Sequence, residues 1–175
     1  MLPITALFTS IRGDRLKSAR LLLVLALSPT FPSSANELQV VISGRAIHVG
    51  SNDLNENNFG LGLQYDFTAN RHWIPLVNLA SVKDSNDNTS RYIGAGMKRR
   101  FKLSSGQQRL NFDLGAAALV MKRPDYNDDK PFLGALPFIA LSNDWGGINA
   151  TYVPSVEDDT LPFWYIQFSL KILEF

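Results

Sequence analysis

Three side chains in this sequence could carry out group transfer together: His48 and the adjacent pair Asp84 and Ser85. A histidine takes a hydroxyl proton near neutral pH, a carboxylate orients or charge-stabilises it, and a serine acts as nucleophile or binds the reacting oxygen. The trio is compatible with acyl transfer. A lone loop histidine and an Asp-Ser turn are also ordinary surface features, so the elements that hold them decide what they mean. The chain has no cysteine, which excludes disulfides, thiolate metal sites and a cysteine nucleophile.

Those elements read as strands. In the last candidate, Trp164, Ile166, Phe168, Leu170 and Ile172 share one parity, while Tyr165, Gln167, Ser169 and Lys171 share the other. Period two puts the first set on one face and the second on the opposite face. The run 110-LNFDLGAAALV-120 divides the same way, with Asn111 and Asp113 among the inward set. So does 59-FGLGLQYDF-67, where Phe59, Leu61, Leu63, Tyr65 and Phe67 form the apolar side and glycines thin the other. Less tidy strands are expected at about 38–48, 73–84, 91–102, 131–142 and 147–154, which makes eight. The expected fold is all-β, an eight-stranded antiparallel transmembrane β-barrel, because an even closed count leaves no strand edge in hydrocarbon. Connections at 49–57, 85–90, 122–130 and 155–162 are polar and mostly long. Those at 68–72, 103–107 and 143–146 are short. In outer-membrane barrels the long loops face the cell exterior, which brings His48 and Asp84-Ser85 to one outer rim. Trp73, Tyr92, Trp145, Tyr152 and Trp164 supply aromatic residues near both ends. A soluble lipocalin-like barrel or sandwich is the rival reading, since alternation alone does not distinguish lipid from a protein core. Phe175 resembles the terminal aromatic used in outer-membrane assembly, but its parity differs from that of Trp164, so an irregularity is required.

The chain starts with a basic stretch holding Arg12, Arg15, Lys17 and Arg20, then 21-LLLVLAL-27 and the small residues 33-SSA-35. This is the pattern of a signal peptide cleaved after Ala35, leaving one barrel domain over 36–175. Without residues 1–35 the formal charge falls from +1 to −2, from 13 basic and 15 acidic residues. No basic groove for nucleic acid remains, and 98-KRR-100 reads as a solvated face. Arg45 and Arg91 read as interior charges paired with Asp66 or Asp113, or as lipid-phosphate contacts if they reach the rim. The run 157-EDD-159 reads as a solvated loop tip.

The sequence resembles the PagP family of outer-membrane lipid A palmitoyltransferases. The resemblance lies in His48 before a polar loop, 60-GLGL-63, 83-KDS-85, 93-IGAG-96, and Pro131, Pro137 and 152-YVP-154 around the sixth and seventh strands. It implies an enzyme that moves a palmitoyl or similar chain from a glycerophospholipid to lipid A, with His48, Asp84 and Ser85 as catalytic residues. It further implies an acyl-chain ruler at Gly96, with Gly94 as the alternative, and lateral lipid gates at Pro131, Pro137 and Pro154. Ala95 or Met97 would shorten the ruler if either faced inward. A phospholipid donor and a lipid A acceptor are the expected partners, with no cofactor, no metal and a monomeric state. The chain departs from the family in lacking an amphipathic helix before the first strand, and in having 86-NDNTS-90 where the family has an aromatic-rich loop. A lesser similarity, to lipid A deacylases of the PagL type, rests on 48-HVGSN-52 and Glu56 and implies a hydrolase set of His48, Ser51 and Glu56. A non-enzymatic structural or lipid-binding barrel is the remaining alternative.

Overall fold

The computed structural model describes residues 35–48, 56–104, 109–124, 126–155 and 162–175. Apart from Ala35, the expected export signal lies outside these residues, as do Ser51 and 157-EDD-159. Eight strands follow one another: β1 (Glu37–His48), β2 (Asn57–Asp66), β3 (Trp73–Lys83), β4 (Thr89–Ser104), β5 (Leu110–Lys122), β6 (Phe132–Ser142), β7 (Gly146–Val153) and β8 (Phe163–Glu174). Each pairs antiparallel with its sequence neighbours, and β8 closes on β1. The final residues of β1, β3, β5 and β7 share one end of the barrel, the loop end, and the final residues of β2, β4, β6 and β8 share the other, the turn end.

The two faces are inverted relative to a soluble barrel. Large apolar side chains such as Leu61, Leu79, Leu114, Phe168 and Leu170 stand exposed on the outer wall, and Leu133 is 81% exposed. Glu37, Gln39, Asp66, Lys98, Arg100 and Asp113 are buried inside. Burying charge while exposing a continuous apolar band is favourable only where hydrocarbon is the outer solvent. This excludes the soluble rival. Among the described residues no helix is long and apolar enough to cross a membrane. At the turn end, outward Trp73 and Phe101 flank the Arg99 guanidinium at 5.5 and 5.3 Å. At the loop end Tyr152 lies against Trp164, 5.2 Å between ring centroids. Such amphipathic rings suit the two membrane–water boundaries. Tyr92 does not belong to either belt: it points inward and its hydroxyl meets Gln167.

Strict alternation holds along β2, β5 and most of β8, and among the described residues the register shifts at three places, between Lys102 and Ser104 on β4 and at two bulges where β1 meets β8. On β1, Ser43 pairs with Gln167 but Arg45 pairs with Ile166, so Gly44 is one extra residue. Ser43 faces inward, Arg45 and Ile47 face outward, and Ala46 and His48 are turned back inside. Without that inversion, counting by twos from Ser43 would aim His48 at lipid. On β8, Lys171 pairs with Gln39 but Leu173 pairs with Leu38. The extra residue, Ile172, carries Leu173 and Phe175 to the outer face, which supplies the irregularity that Phe175 requires.

The turn-end half of the bore is filled by an ionic network. Lys98 bridges Asp66 at 2.6 Å and Asp113 at 3.2 Å. Arg100 grips Asp113 with two bonds of 2.9 Å, and Lys171 meets Glu37 at 2.9 Å. Gln39 links Glu37 to Asp66. Three acids and three bases are thus buried with no net charge, as buried ions require. The sequence reading of 98-KRR-100 as a solvated face is wrong for Lys98 and Arg100. Likewise, Asp66 and Asp113 take their partners from β4, not from Arg45 or Arg91. Above this layer Leu76, Ala117 and Phe138 form an apolar cluster.

Candidate active site

The site forms where the end of β1 meets the turn between β3 and β4. That turn is built by Asp84. Its Oδ1 accepts the backbone N–H groups of Asn86 and Asn88, both at 3.0 Å, the short-range pattern that makes aspartate a turn former. Its Oδ2 accepts the Ser90 hydroxyl at 3.1 Å and pairs with Arg123 Nε at 3.4 Å. Asp87 completes the turn in the left-handed region at φ 63°. Ser85 is left at the crest, with its Oγ 3.5 Å from His48 Nε2. This is the outer limit of a hydrogen bond, and such contacts commonly tighten when a substrate binds.

The His48 ring packs against Phe163, 5.1 Å between centroids. Its Nδ1 is buried without a hydrogen-bond partner among the described residues. Of the three residues singled out from the sequence, the structure therefore joins His48 to Ser85, while the four contacts of the Asp84 carboxylate all hold the turn. Asp84 acts on the pair by placing Ser85. Removing it in Asp84→Ala should cost the turn roughly 1–3 kcal/mol and strip hydrogen-exchange protection from the Asn86 and Asn88 amides. Asp84→Asn keeps an acceptor at Oδ1 and should retain most of that protection.

Ser90 and Arg123 hold this turn together and carry no motif in the sequence. Ser90 sits in a stretch of small polar residues, and Arg123 is a single cation past a strand end. Ser90 meets Asp84 across the β3–β4 hairpin, and Arg123 reaches it from the end of β5, which pairs with β4.

Glu56 is engaged elsewhere. Arg45 Nη2 and Nε donate to its Oε2 at 2.7 and 3.1 Å, placing Arg45 at the loop-end rim and not inside as an interior partner. That pair, together with the backbone hydrogen bond from His48, holds the Glu56 carboxyl below its ordinary range. The linkage sign follows: the ion pair is intact above the ordinary carboxylate range and is lost only as pH falls through the depressed value. At neutral pH Glu56 is an ionised carboxylate bound to arginine, poorly suited to exchange protons with a water. Ser51, the other member of the hydrolase set, lies outside the described residues.

On β4 the inward positions are Ser90, Tyr92, Gly94, Gly96, Lys98 and Arg100, with Ala95 and Met97 facing outward. Gly94 and Gly96 therefore both line the bore, and the ionic network begins one inward position beyond Gly96. A Cβ on Gly96 would stand 2.5 Å from the Ala116 carbonyl oxygen and 2.8 Å from Ala117 Cα. Any side chain there would displace β5. Below, a cavity of about 20 Å³ lined by Gln39, Gln64, Lys98, Arg100 and Asp113 holds roughly one water molecule.

The three prolines border one seam. The ladder between β6 and β7 runs only from Phe138–Thr151 to Ser142–Gly147. Closer to the loop end, residues 132–137 pair with β5 alone, and Tyr152 and Val153 with β8 alone. Pro137 stands where pairing stops, Pro131 precedes β6, and Pro154 follows β7. A proline cannot donate to a ladder, so each is placed where a missing N–H is tolerated.

A model of the PagP family, described as antimicrobial peptide resistance and lipid A acylation protein PagP, matches residues 46–166. That span holds His48, Asp84, Ser85, both bore glycines and all three seam prolines. No curated protein matches the chain. Among solved structures, crystalline Ail, the attachment invasion locus protein of Yersinia pestis, is 16% identical with a TM-score of 0.45, covering 82% of this chain and 100% of Ail. The backbone structure of Ail in a phospholipid bilayer nanodisc is 15% identical with a TM-score of 0.40, covering 78% and 99%.

Proposed function

The chain belongs to the PagP family of lipid A acylation proteins, and from that premise we propose a mechanism in which this outer-membrane barrel moves a palmitoyl or similar chain from a glycerophospholipid to lipid A. The observation that carries the mechanism is the convergence of His48 Nε2, at the end of β1, and Ser85 Oγ, in a turn 37 residues further along the chain. A hydroxyl of the acceptor attacks the donor's ester carbonyl carbon while His48 takes its proton. The Ser85 hydroxyl hydrogen-bonds the reacting oxygen. The bond from the carbonyl carbon to the glycerol oxygen breaks, and the proton passes from His48 to that oxygen, leaving a lysophospholipid.

The parted seam between β6 and β7, edged by Pro131, Pro137 and Pro154, is the entry from the bilayer. The donor chain lies in the bore against the β4 wall. Gly94 and Gly96 line that wall, and no methylene passes below them, because the charges of Lys98 and Arg100 exclude an apolar chain. Residues 1–35 act as a removable export signal, and the loop end faces the cell exterior. There Arg91 stands outward, opposite Lys122. Lys122 pairs with Asp129 at 3.3 Å, which leaves the Arg91 guanidinium to meet an anion such as a lipid A phosphate. No cofactor enters this scheme.

Lipid A mass spectrometry on a host expressing the intact chain tests it: one added acyl chain relative to the host alone is expected. Unchanged lipid A in a host carrying folded barrel would overturn the reading, and loss of a chain would mean hydrolysis instead. Because Arg45 occupies Glu56, Glu56→Gln should leave the rate of acylation within about twofold. A hydrolase built on Glu56 would lose nearly all of its rate.

A further inference from the structure

Tyr92 and Gln167 stand on β4 and β8, which face each other across an eight-stranded barrel, yet their side chains meet. Gln167 Nε2 donates to Tyr92 Oη at 3.2 Å and to Ser43 Oγ at 3.0 Å. The resulting bar runs from β4 across the full bore to β8 and β1. Immediately above it Tyr165 reaches from β8 to β2, where its hydroxyl donates to the Asn58 carbonyl at 3.4 Å. A methylene chain descending from His48 meets this hydrogen-bonded bar before it reaches Gly94 or Gly96.

We propose that the Tyr92–Gln167–Ser43 bar is the floor of the acyl pocket and sets this chain's preference for a donor shorter than palmitoyl. The proposal rests on the acyl-transfer reading. Gln167 lies four residues along β8 from Phe163, the partner of His48, which is roughly 13 Å of strand. Gly96 lies four residues beyond Tyr92 on β4, about another 13 Å. Strands tilt to the barrel axis, so these lengths exceed the depths they span, but the bar still closes the bore short of a floor at Gly96. A chain pushed past it must break the Tyr92–Gln167 hydrogen bond in a closed bore and leave the Tyr92 hydroxyl unpaired against hydrocarbon, which is costly in the way that makes a length limit sharp. Polar groups fixed at a definite level stop a chain. An apolar floor would merely cease to reward it.

The test uses the folded barrel reconstituted with lipid A and donor phospholipids whose saturated chains range in length up to palmitoyl. The wild type is expected to prefer shorter chains over palmitoyl by about tenfold or more. Tyr92→Ala should move the preference to palmitoyl, and Gln167→Ala should do the same if the first variant fails to fold. A wild type that prefers palmitoyl, with a length profile unchanged in the variants, overturns the bar while leaving acyl transfer intact. If no chain of any length is transferred, acyl transfer itself fails, and the bar is judged by NMR of ring-labelled tyrosine in alkyl phosphocholines. Contact of the terminal methyl with the Tyr92 ring supports it, and contact with Ala117 in place of Tyr92 overturns it.

Discussion

Replacing His48 by alanine should lower the rate of lipid A acylation by roughly 10²–10⁴-fold, the range that positioned proton transfer supplies. The barrel should still fold, because among the described residues His48 makes no ion pair with the ionic network and its ring lies against the rim residues Phe163 and Ser85. The comparison is made at equal amounts of folded barrel, judged by gel mobility, with product read by mass spectrometry. Ser85→Ala is the companion. If Ser85 only binds the reacting oxygen, its loss should be smaller than that of His48; equal losses would instead make Ser85 the nucleophile of a covalent intermediate. A His48→Ala protein that acylates at the wild-type rate would remove the rim from the chemistry.

Asp113→Ala should be the most destabilising single change, by about 3–5 kcal/mol, the usual cost of removing one partner from a buried ion pair. Asp113 is fully buried, and its loss strands Arg100 while leaving Lys98 with Asp66 alone. Urea unfolding in lipid should show the midpoint falling with little change in slope. Replacing both partners, Asp113→Leu with Arg100→Met, leaves the Lys98–Asp66 pair in place and should recover much of the loss. The double-mutant cycle then measures the coupling. Equal losses in the single and double variants would mean that packing, not charge balance, makes the residue important.

The barrel and its long-loop end were legible in the sequence because lipid imposes period two on whole strands, clearest in Phe59 to Phe67, Leu110 to Val120 and Trp164 to Ile172. The β4 strand was legible, but which of its residues face inward was not. Small residues occupy both of its faces, and Lys98 and Arg100 point inward only because Asp66 on β2 and Asp113 on β5 wait there. That partnership spans strands distant in sequence, so no local window contains it. The rim was half legible. His48, Asp84 and Ser85 do meet at one rim, but the aim of His48 depends on the Gly44 bulge, and the role of Asp84 depends on Ser90 and Arg123. A period-two count has no term for an inserted residue. Arg45 was misplaced for the same reason: on β1 beyond Ser43 the inside and outside positions exchange, and Glu56, not Asp66, becomes its neighbour.

The ionic network at the turn end also determines what the molecule does to its membrane. With six charged side chains knitted across the lumen and space for roughly one water molecule beside them, the barrel is a cup and not a pipe. A cell can carry many copies without opening a solute-sized pore, so the permeability barrier of the membrane that holds the protein is left intact.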